Sequence, residues 1–248
     1  MIVANIAMHY GSDYVAYAIK PIYDHVDKIV VAYAEKPSHG HSSNLVNPDT
    51  RSLCYDAVYQ SGDPKNKIRW IDGVWRQECD QRNIIFDLYP NADMICLVDA
   101  DEIWHSHEFA ATLEWCLRSP VKACKQSLRT PWRSFNWICD DQMIPDRWFK
   151  PKLSEYTTVN VPQEIGVYYH MGYARELKHI KYKLSCHGHT DEIFKGWFEN
   201  KYSSWSPTNN IPDLHPTCSG FWYASPFDKY LLPVVLRDHP YWNKSLIE

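Results

Sequence analysis

Three apolar runs, each long enough for a buried β-strand, set the strongest limit on the fold. They occupy residues 2–8, 28–34 and 92–98, and the polar side chains that follow them are His9, Glu35 and Asp99. Continuous apolar and β-branched runs of this length are typical of strands covered on both faces, as in parallel sheets flanked by helices. Residues 14–23, between the first two runs, have the apolar spacing of a helix. The order strand–helix–strand therefore predicts parallel neighbours in an α/β fold.

The rest of the chain supplies weaker signals. Further strands are predicted at residues 68–71, 128–137, 147–152 and 166–170, and further helices at residues 74–88, 107–117, 176–183 and 191–201. Asp13 is placed to cap the helix at residues 14–23. Residues 36–50 predict a long loop, and the Pro-rich residues 209–248 predict an irregular segment wrapped over the domain. We therefore expect one α/β domain over residues 1–248, with a mostly parallel central sheet, flanking helices and a mixed, irregular C-terminal part.

Composition argues against several classes of protein. Hydrophobic residues make up 45% of the 248 residues, which is enough for a packed core. The net charge of −4 argues against a domain that binds nucleic acid over its whole surface. The 8 cysteines form no Cys-x-x-Cys pair, so neither a zinc knuckle nor a disulfide framework is expected. No apolar run reaches the ~18 residues that span a bilayer, and no signal-peptide layout is recognisable, so we expect a soluble, cytoplasmic protein.

Three carboxylates follow the apolar run at residues 92–98 directly: Asp99, Asp101 and Glu102. Carboxylates this close repel one another, and a cation among them removes the repulsion. Alternate residues of an extended segment point the same way, so Asp99 and Asp101 are predicted to share one metal ion. Oxygen ligands suit Mg²⁺ or Mn²⁺. The alternative is a solvated turn in which one Asp caps the next helix.

This segment resembles the Asp-x-Asp-Glu motif of glycosyltransferases with the GT-A (Rossmann-like) fold, in particular the family-2-like enzymes of bacteria, phages and viruses. The resemblance implies that Asp99 and Asp101 bind the metal ion that holds the nucleotide diphosphate. Arg82 and Asn83 resemble an Ala-Arg-Asn element of the same group, with Gln81 in place of the Ala.

A second resemblance to that group is longer. It consists of residues 169–175, which include Tyr173-Ala174-Arg175, then Lys183, then residues 187–192, then Trp197, in the order and spacing of those enzymes. Residues 39–43 and 237–240 also resemble the group. The resemblance implies a nucleotide-sugar-binding half at residues 1–105, a half at residues 106–208 that completes the metal site and binds the acceptor, and a C-terminal wrap at residues 209–248.

The resemblance also implies roles for side chains at the strand ends. His9, Tyr10 and Asp13 follow the first strand, where the nucleoside would bind, and Glu35 is placed to contact the ribose or base. The alternatives for these four are loop polarity and helix capping. Two arginines, Arg76 and Arg82, are predicted to neutralise phosphate, although Arg82 is alternatively a solvent-facing helix residue.

Two histidines, His187 and His189, are each candidates to complete the metal shell, because imidazole is a good ligand and such enzymes often take one from the C-terminal half. The alternative is that one of them caps a helix or packs in the core. Asp191 and Glu192 are candidates for the base that deprotonates the acceptor, or are helix N-terminal carboxylates without chemistry. The competing bases are Asp140, Asp141 and Asp146.

The expected function is metal-dependent transfer of a hexosyl or pentosyl group from a nucleotide sugar, UDP- or GDP-linked, to a hydroxyl group. Mn²⁺ or Mg²⁺ is the expected cofactor, with Asp101 central to catalysis. The acceptor is left open between a glycan, a protein and a hydroxymethylated DNA base. Trp132, Arg133 and Trp137 are either acceptor contacts or core. The rival functions are a metal-dependent phosphohydrolase or nucleotidyltransferase, which often needs a second metal ion ~3.5–4 Å away, and a non-catalytic carbohydrate-binding module.

Overall fold

Two β-sheets organise the chain in the computed structural model, which describes residues 1–37, 43–60, 62–140, 143–186 and 188–247. The strands are β1 (Ile2–Met8), β2 (Lys28–Ala34), β3 (Ile68–Gly73), β4 (Met94–Asp99), β5 (Glu102–Trp104), β6 (Ala123–Lys125), β7 (Leu128–Pro131), β8 (Trp137–Asp140), β9 (Asp146–Phe149), β10 (Thr158–Asn160), β11 (Tyr168–His170) and β12 (Ser225–Pro226). The α-helices are α1 (Val15–Ile22), α2 (Arg51–Gln60), α3 (Glu78–Leu88), α4 (Ser106–Arg118) and α5 (Leu177–Cys186).

The larger sheet has seven strands in the order β10-β6-β9-β4-β1-β2-β3. Strands β3, β2, β1 and β4 are mutually parallel, whereas β9 runs antiparallel to β4 and to β6. The predicted α/β class with a mostly parallel central sheet and flanking helices is confirmed. Its core strands are buried on both faces: residues 29–34 of β2 are all buried.

The smaller sheet has five strands in the order β12-β8-β7-β11-β5. The chain passes from the larger sheet to the smaller one between β4 and β5, that is, through Ala100 and Asp101. β11 pairs antiparallel with β5, which places His170 opposite Glu102. The backbone N–H of Met171 donates to the Asp101 carbonyl oxygen at 2.8 Å. Asp101 therefore lies at the corner between the two sheets, held on both sides.

Three local predictions are wrong, and one helix was not predicted. Residues 191–201 are not an α-helix but a 3₁₀ turn, Thr190–Glu192, and a π-helical turn, Phe198–Ser203, separated by Gly196 with φ of 71°. Residues 128–137 are two strands, β7 and the start of β8, joined by a turn in which Arg133 has φ of 52°. Helix α2 lies where no helix was expected, because it buries only Cys54, Ala57 and Val58 and so lacks a clear apolar stripe. Asp13 does not cap α1, since Tyr14 holds the cap position without a side-chain hydrogen bond.

The C-terminal segment is irregular, as expected. Among residues 209–247 it contains 3₁₀ turns at Lys229–Leu231 and Val234–Asp238, and β12 pairs with β8. Its apolar side chains Leu236, Trp242 and Ile247 are buried in one cluster with Tyr14 and Ile103. No helix in the described part of the chain is both long and apolar enough to cross a membrane.

His239 anchors this segment beside the loop that follows β1. Its side chain is 4% exposed and stacks on Tyr14 with ring centroids 4.5 Å apart. Nε2 donates to the Asp13 carbonyl oxygen at 2.9 Å, and Nδ1 accepts from the Tyr241 backbone N–H at 3.1 Å. The neutral ring thus satisfies both nitrogens, and burial lowers the pKa of His239 to about 4.

We expect acid to weaken the folded state through His239. Because the folded pKa lies below the usual 6.5, the unfolded chain takes up this proton first, and stability falls as the pH drops from about 6.5 towards 4. Between pH 7 and pH 5 this histidine should cost about 2 kcal/mol of unfolding free energy. Urea unfolding of His239→Gln should show that much less pH dependence than the wild type. The exposed His107→Gln is the control, and equal pH dependence in all three proteins contradicts the prediction.

Candidate active site

A cavity of about 240 Å³ opens at the carboxyl ends of β1 and β4. In register, Ala7 of β1 lies beside Asp99 of β4, so the two strands end together. The residues that line the cavity include His9, Tyr10, Glu78, Gln81, Arg82, Asp99, Asp101, His170, Arg175, Lys183 and His189. They come from the two strand ends, from α3, from the end of β11 and from the segment that follows it. This is the edge at which open α/β sheets bind ligands.

Asp99 is held by two arginines. One carboxylate oxygen accepts from Arg82 Nη2 at 2.7 Å, and the other accepts from Arg147 Nη2 at 3.1 Å. Burial alone would raise the pKa of Asp99, but Arg82 and Arg147 outweigh it and hold that pKa well below its usual range. Its backbone N–H donates to the Glu102 carboxylate at 3.0 Å. Asp99 is therefore ionised, with both oxygens engaged by protein cations.

Asp101 is differently placed. Its side chain is 13% exposed, and its carboxylate oxygens lie 3.4 Å from Arg175 Nη1 and 3.7 Å from His170 Nε2. Burial raises its pKa, but His170, Lys183 and Arg175 outweigh that effect and lower it. An ionised carboxylate with only long contacts to its neighbours retains lone pairs for a further partner. In chemistry and position Asp101 fits a divalent cation better than Asp99 does.

Arg175 connects the loop after β1 to Asp101. The guanidinium is 1% exposed and binds both oxygens of Asp13, one of them at 3.0 Å. It also lies over the rings of Tyr10 and Tyr14, at 5.1 and 5.8 Å from their centroids. Gly11, with φ of 123°, brings this loop so close to Ala100 that a Cβ atom would lie 3.1 Å from the Ala100 Cβ. The loop is therefore fixed against the corner that carries Asp101.

His9 joins three elements at the cavity wall. Nδ1 donates to the carbonyl oxygen of Ala34 at 2.7 Å, and Nε2 accepts from the Tyr182 hydroxyl at 2.8 Å. Because a carbonyl only accepts, the proton is assigned to Nδ1. Tyr10 packs edge-on against Tyr182 with centroids 5.6 Å apart. His9 and Tyr10 thus offer ring surface to the cavity.

Among the described residues, Asp13, Asp49 and His179 form a cluster of three potential metal ligands, whose ligand atoms all lie within 4.8 Å of one another. These side chains already bind other groups of the protein. Asp49 accepts from the backbone N–H groups of Gly11 and Ser12 at 2.7 and 2.9 Å and lies 3.3 Å from His179 Nε2, while Arg175 binds Asp13. Burial raises the pKa of Asp49, and the hydrogen bonds from His179, Gly11 and Ser12 more than reverse this. The group orders the loop after β1.

The structure brings together many, but not all, of the side chains singled out in the sequence. His9, Tyr10, Arg82, Asp99, Asp101 and His189 line the cavity. Asp13 lies behind it, bound to Arg175. Glu35, Arg76, Asp191 and Glu192 are exposed and are not part of the cavity wall. Glu192 lies 3.1 Å from His189 Nδ1. His187, Asp141 and residues 39–42 lie outside the described residues.

The segment with Trp132 and Arg133 belongs to the core rather than to an acceptor site. Trp132 is wholly buried, and Arg133 is 5% exposed and donates to the backbone carbonyls of Tyr202, Ser203 and Trp205. Of the competing bases, Asp140 is exposed and Asp146 accepts from the Tyr156 hydroxyl; neither lines the cavity.

Several side chains of the site carried no functional prediction. Gln81 is buried and donates to the backbone carbonyls of Met8 and Ala32 at 3.0 and 2.7 Å, which ties α3 to the ends of β1 and β2. Arg147 contacts Asp99 across 48 positions of sequence, and no local pattern signals that contact. His170, Arg175 and Lys183 belong to the segments that resemble the glycosyltransferases. The resemblance therefore pointed to these residues, but it did not predict a role for any of them.

No known family model and no curated protein matches the chain. Among solved structures, a glucosyl-3-phosphoglycerate synthase from Mycobacterium tuberculosis in complex with Mn²⁺, uridine diphosphate and phosphoglyceric acid is 13% identical, over 51% of this chain and 43% of that one, with a TM-score of 0.35. A mycobacterial protein is 11% identical, over 94% and 88%, with a TM-score of 0.44. TarS of S. aureus is 10% identical, over 84% and 44%, with a TM-score of 0.38. The chain spans less than half of the first and third, and similarity this weak assigns no activity.

Proposed function

We propose that the protein is a metal-dependent glycosyltransferase that moves a sugar from a nucleotide-diphosphate sugar to a hydroxyl acceptor. The observation that carries the proposal is Asp101, an ionised carboxylate with only long protein contacts, at the wall of a cavity beyond the carboxyl ends of β1 and β4. The Asp-x-Asp-Glu resemblance supports the same reading of this corner.

Asp101 would be the principal ligand of the cation, with an imidazole from His170 or His189 on the same cavity wall. A carboxylate with imidazole suits Mn²⁺, and Mg²⁺ is the alternative. When bound, the ion would neutralise charge on the departing diphosphate. Asp99 would support the metal site by fixing the backbone next to Asp101, because Arg82 and Arg147 hold its carboxylate in place.

The donor would occupy the cavity with its nucleoside against His9 and Tyr10 and its phosphates towards Arg82 and the metal ion. Arg82 is 23% exposed at the cavity wall and is charged, since Asp99 and Glu78 outweigh the effect of burial and raise its pKa. In this assignment residues 1–105 bind the nucleotide sugar, residues 106–208 complete the metal site and face the acceptor, and residues 209–248 wrap over both. A base for the acceptor would come from Glu192 or Asp191, near His189 at the rim.

A thermal-shift panel tests the proposal. UDP, GDP, and UDP- and GDP-sugars are each added with and without Mn²⁺, and one nucleotide is expected to stabilise the protein only when the metal is present. Ligand at 100 times its Kd adds about 2.7 kcal/mol, which corresponds to a rise in Tm of about 5–10 °C for a chain of this size. Sugar transfer is then measured by assaying the nucleoside diphosphate that the reaction releases.

Two outcomes would contradict the proposal. Release of inorganic phosphate or nucleoside monophosphate without sugar transfer would favour the phosphohydrolase or nucleotidyltransferase alternative. Stabilisation by free oligosaccharides, with none by any nucleotide in the presence of Mn²⁺, would favour a carbohydrate-binding module.

A further inference from the structure

One cation of the cavity wall, Lys183 on α5, has no carboxylate partner. Among the residues that the structure describes, Lys183 takes part in no hydrogen bond and no ion pair. Its ammonium instead lies over the ring of Tyr173, 4.7 Å from the centroid. Burial lowers the pKa of Lys183, and although Asp101 opposes this, Arg175 adds to it. Lys183 is only partly buried, but a charge that has lost part of its water without gaining an anion is still costly to the folded state, and an anion bound beside it would offset that cost.

Gly172 determines where this ammonium lies. A Cβ atom at position 172 would be 2.5 Å from Lys183 Nζ and 2.6 Å from His170 Nε2, so the missing side chain makes room for both groups at one point of the wall. His170 in turn lies 3.7 Å from Asp101. The ammonium is therefore held next to the proposed metal ligand but beyond ion-pair distance from it.

The other cations near the cavity are already used within the protein. Arg82 binds Glu78 and Asp99, Arg147 binds Asp99 and Glu102, and Arg175 binds Asp13 and approaches Asp101. An anion that contacts one of these arginines would share it with a carboxylate that is already bound. Lys183 would not be shared in this way, because it lines the cavity and no described carboxylate or other acceptor binds its ammonium.

We propose that Lys183, at the cavity wall, is a binding residue for the diphosphate of the nucleotide. This inference rests on the proposed function, because it assumes that a nucleoside diphosphate is the ligand. The ammonium would donate to phosphate oxygens that the metal ion leaves free, and charge-assisted hydrogen bonds of this kind are about twice as strong as neutral ones.

The test compares Lys183→Gln, Lys183→Arg and, as control, Lys181→Gln, two positions earlier on α5 with an exposed side chain. Titration calorimetry with Mn²⁺ present measures Kd for UDP, GDP, uridine and guanosine. Lys183→Gln should raise Kd for the diphosphate that the wild type binds by about 10–100-fold and leave Kd for the matching nucleoside unchanged. Lys183→Arg should lose less affinity for the diphosphate than Lys183→Gln does, and Lys181→Gln should bind it with the wild-type Kd.

Stability gives a second, independent readout. Because the ammonium has no anionic partner, Lys183→Gln should unfold at the same urea concentration as the wild type or a higher one. A variant that is destabilised yet binds the diphosphate normally would show a structural lysine and overturn the inference. Equal loss of affinity for nucleoside and diphosphate would overturn it too. If the wild type itself binds no nucleotide, it is the proposed function that fails.

Discussion

Asp101→Asn should abolish metal-dependent nucleotide binding and lower sugar transfer by at least about 100-fold. The amide keeps the shape of the side chain but removes the charge that a divalent cation requires, and the neighbouring carboxylate of Asp99 is already engaged by Arg82 and Arg147. The effect should appear in both steps, because the ion that holds the donor also stabilises the leaving group. Calorimetry with Mn²⁺ and nucleotide measures the first step, and release of nucleoside diphosphate measures the second.

The matched control is Asp87→Asn, an exposed carboxylate on α3 that should change neither quantity. Asp99→Asn is the informative comparison. Asp99 already shares its oxygens with Arg82 and Arg147, so its loss should disturb the position of Arg82 more than the affinity for Mn²⁺. If Asp101→Asn binds Mn²⁺ and nucleotide as the wild type does while Asp99→Asn does not, the assignment of the metal ligand to Asp101 is wrong.

The central strands were predictable because their information is local. Residues 2–8 and 28–34 are apolar except for Asn5 and Lys28, and the structure starts and ends β1 and β2 at those residues. Parallel pairing followed from the helix between them. The position of Asp99 and Asp101 at the sheet edge followed in turn, since a carboxylate directly after a buried strand has nowhere else to lie.

The partners of those carboxylates were not predictable in the same way. Arg147 reaches Asp99 from β9, an antiparallel strand inserted into an otherwise parallel region, and Arg175 reaches Asp101 from a segment beyond β11. Contacts between residues so far apart in the sequence depend on the topology of the fold, which a single sequence specifies only weakly. Helix 191–201 failed for a different reason: its polar residues suit a helix, but Gly196 adopts a left-handed conformation that interrupts it.

Arg147→Met should cost about 3–5 kcal/mol of unfolding free energy, because it leaves buried carboxylates without their guanidinium. Arg147 is 8% exposed and Glu102 2%, and the two form an ion pair in the interior behind the cavity. Urea unfolding measures the loss. The control is Arg118→Met, which breaks a surface pair with Glu114 in which both side chains are more than half exposed, and which should cost less than about 1 kcal/mol. If Arg147→Met lost as little unfolding free energy as Arg118→Met, the buried ion pair would not be needed for stability.

The pH dependence of the Arg147→Met loss identifies which carboxylate carries it. Burial raises the pKa of Glu102 to about 7 against an ordinary 4.5, in spite of Arg147. A raised carboxyl pKa means that the folded state keeps a proton that the unfolded chain releases, so stability falls as the pH rises from about 4.5 through 7. Without Arg147 that pKa rises further, and the variant should be least stable above pH 7 and regain stability towards pH 5. Glu102→Gln removes the charge but keeps an acceptor for the Asp99 N–H, so the double variant should be more stable than Arg147→Met at pH 8. A double variant no more stable than Arg147→Met would instead place the cost on Asp99, whose lowered pKa makes its charge persist at every pH in this range.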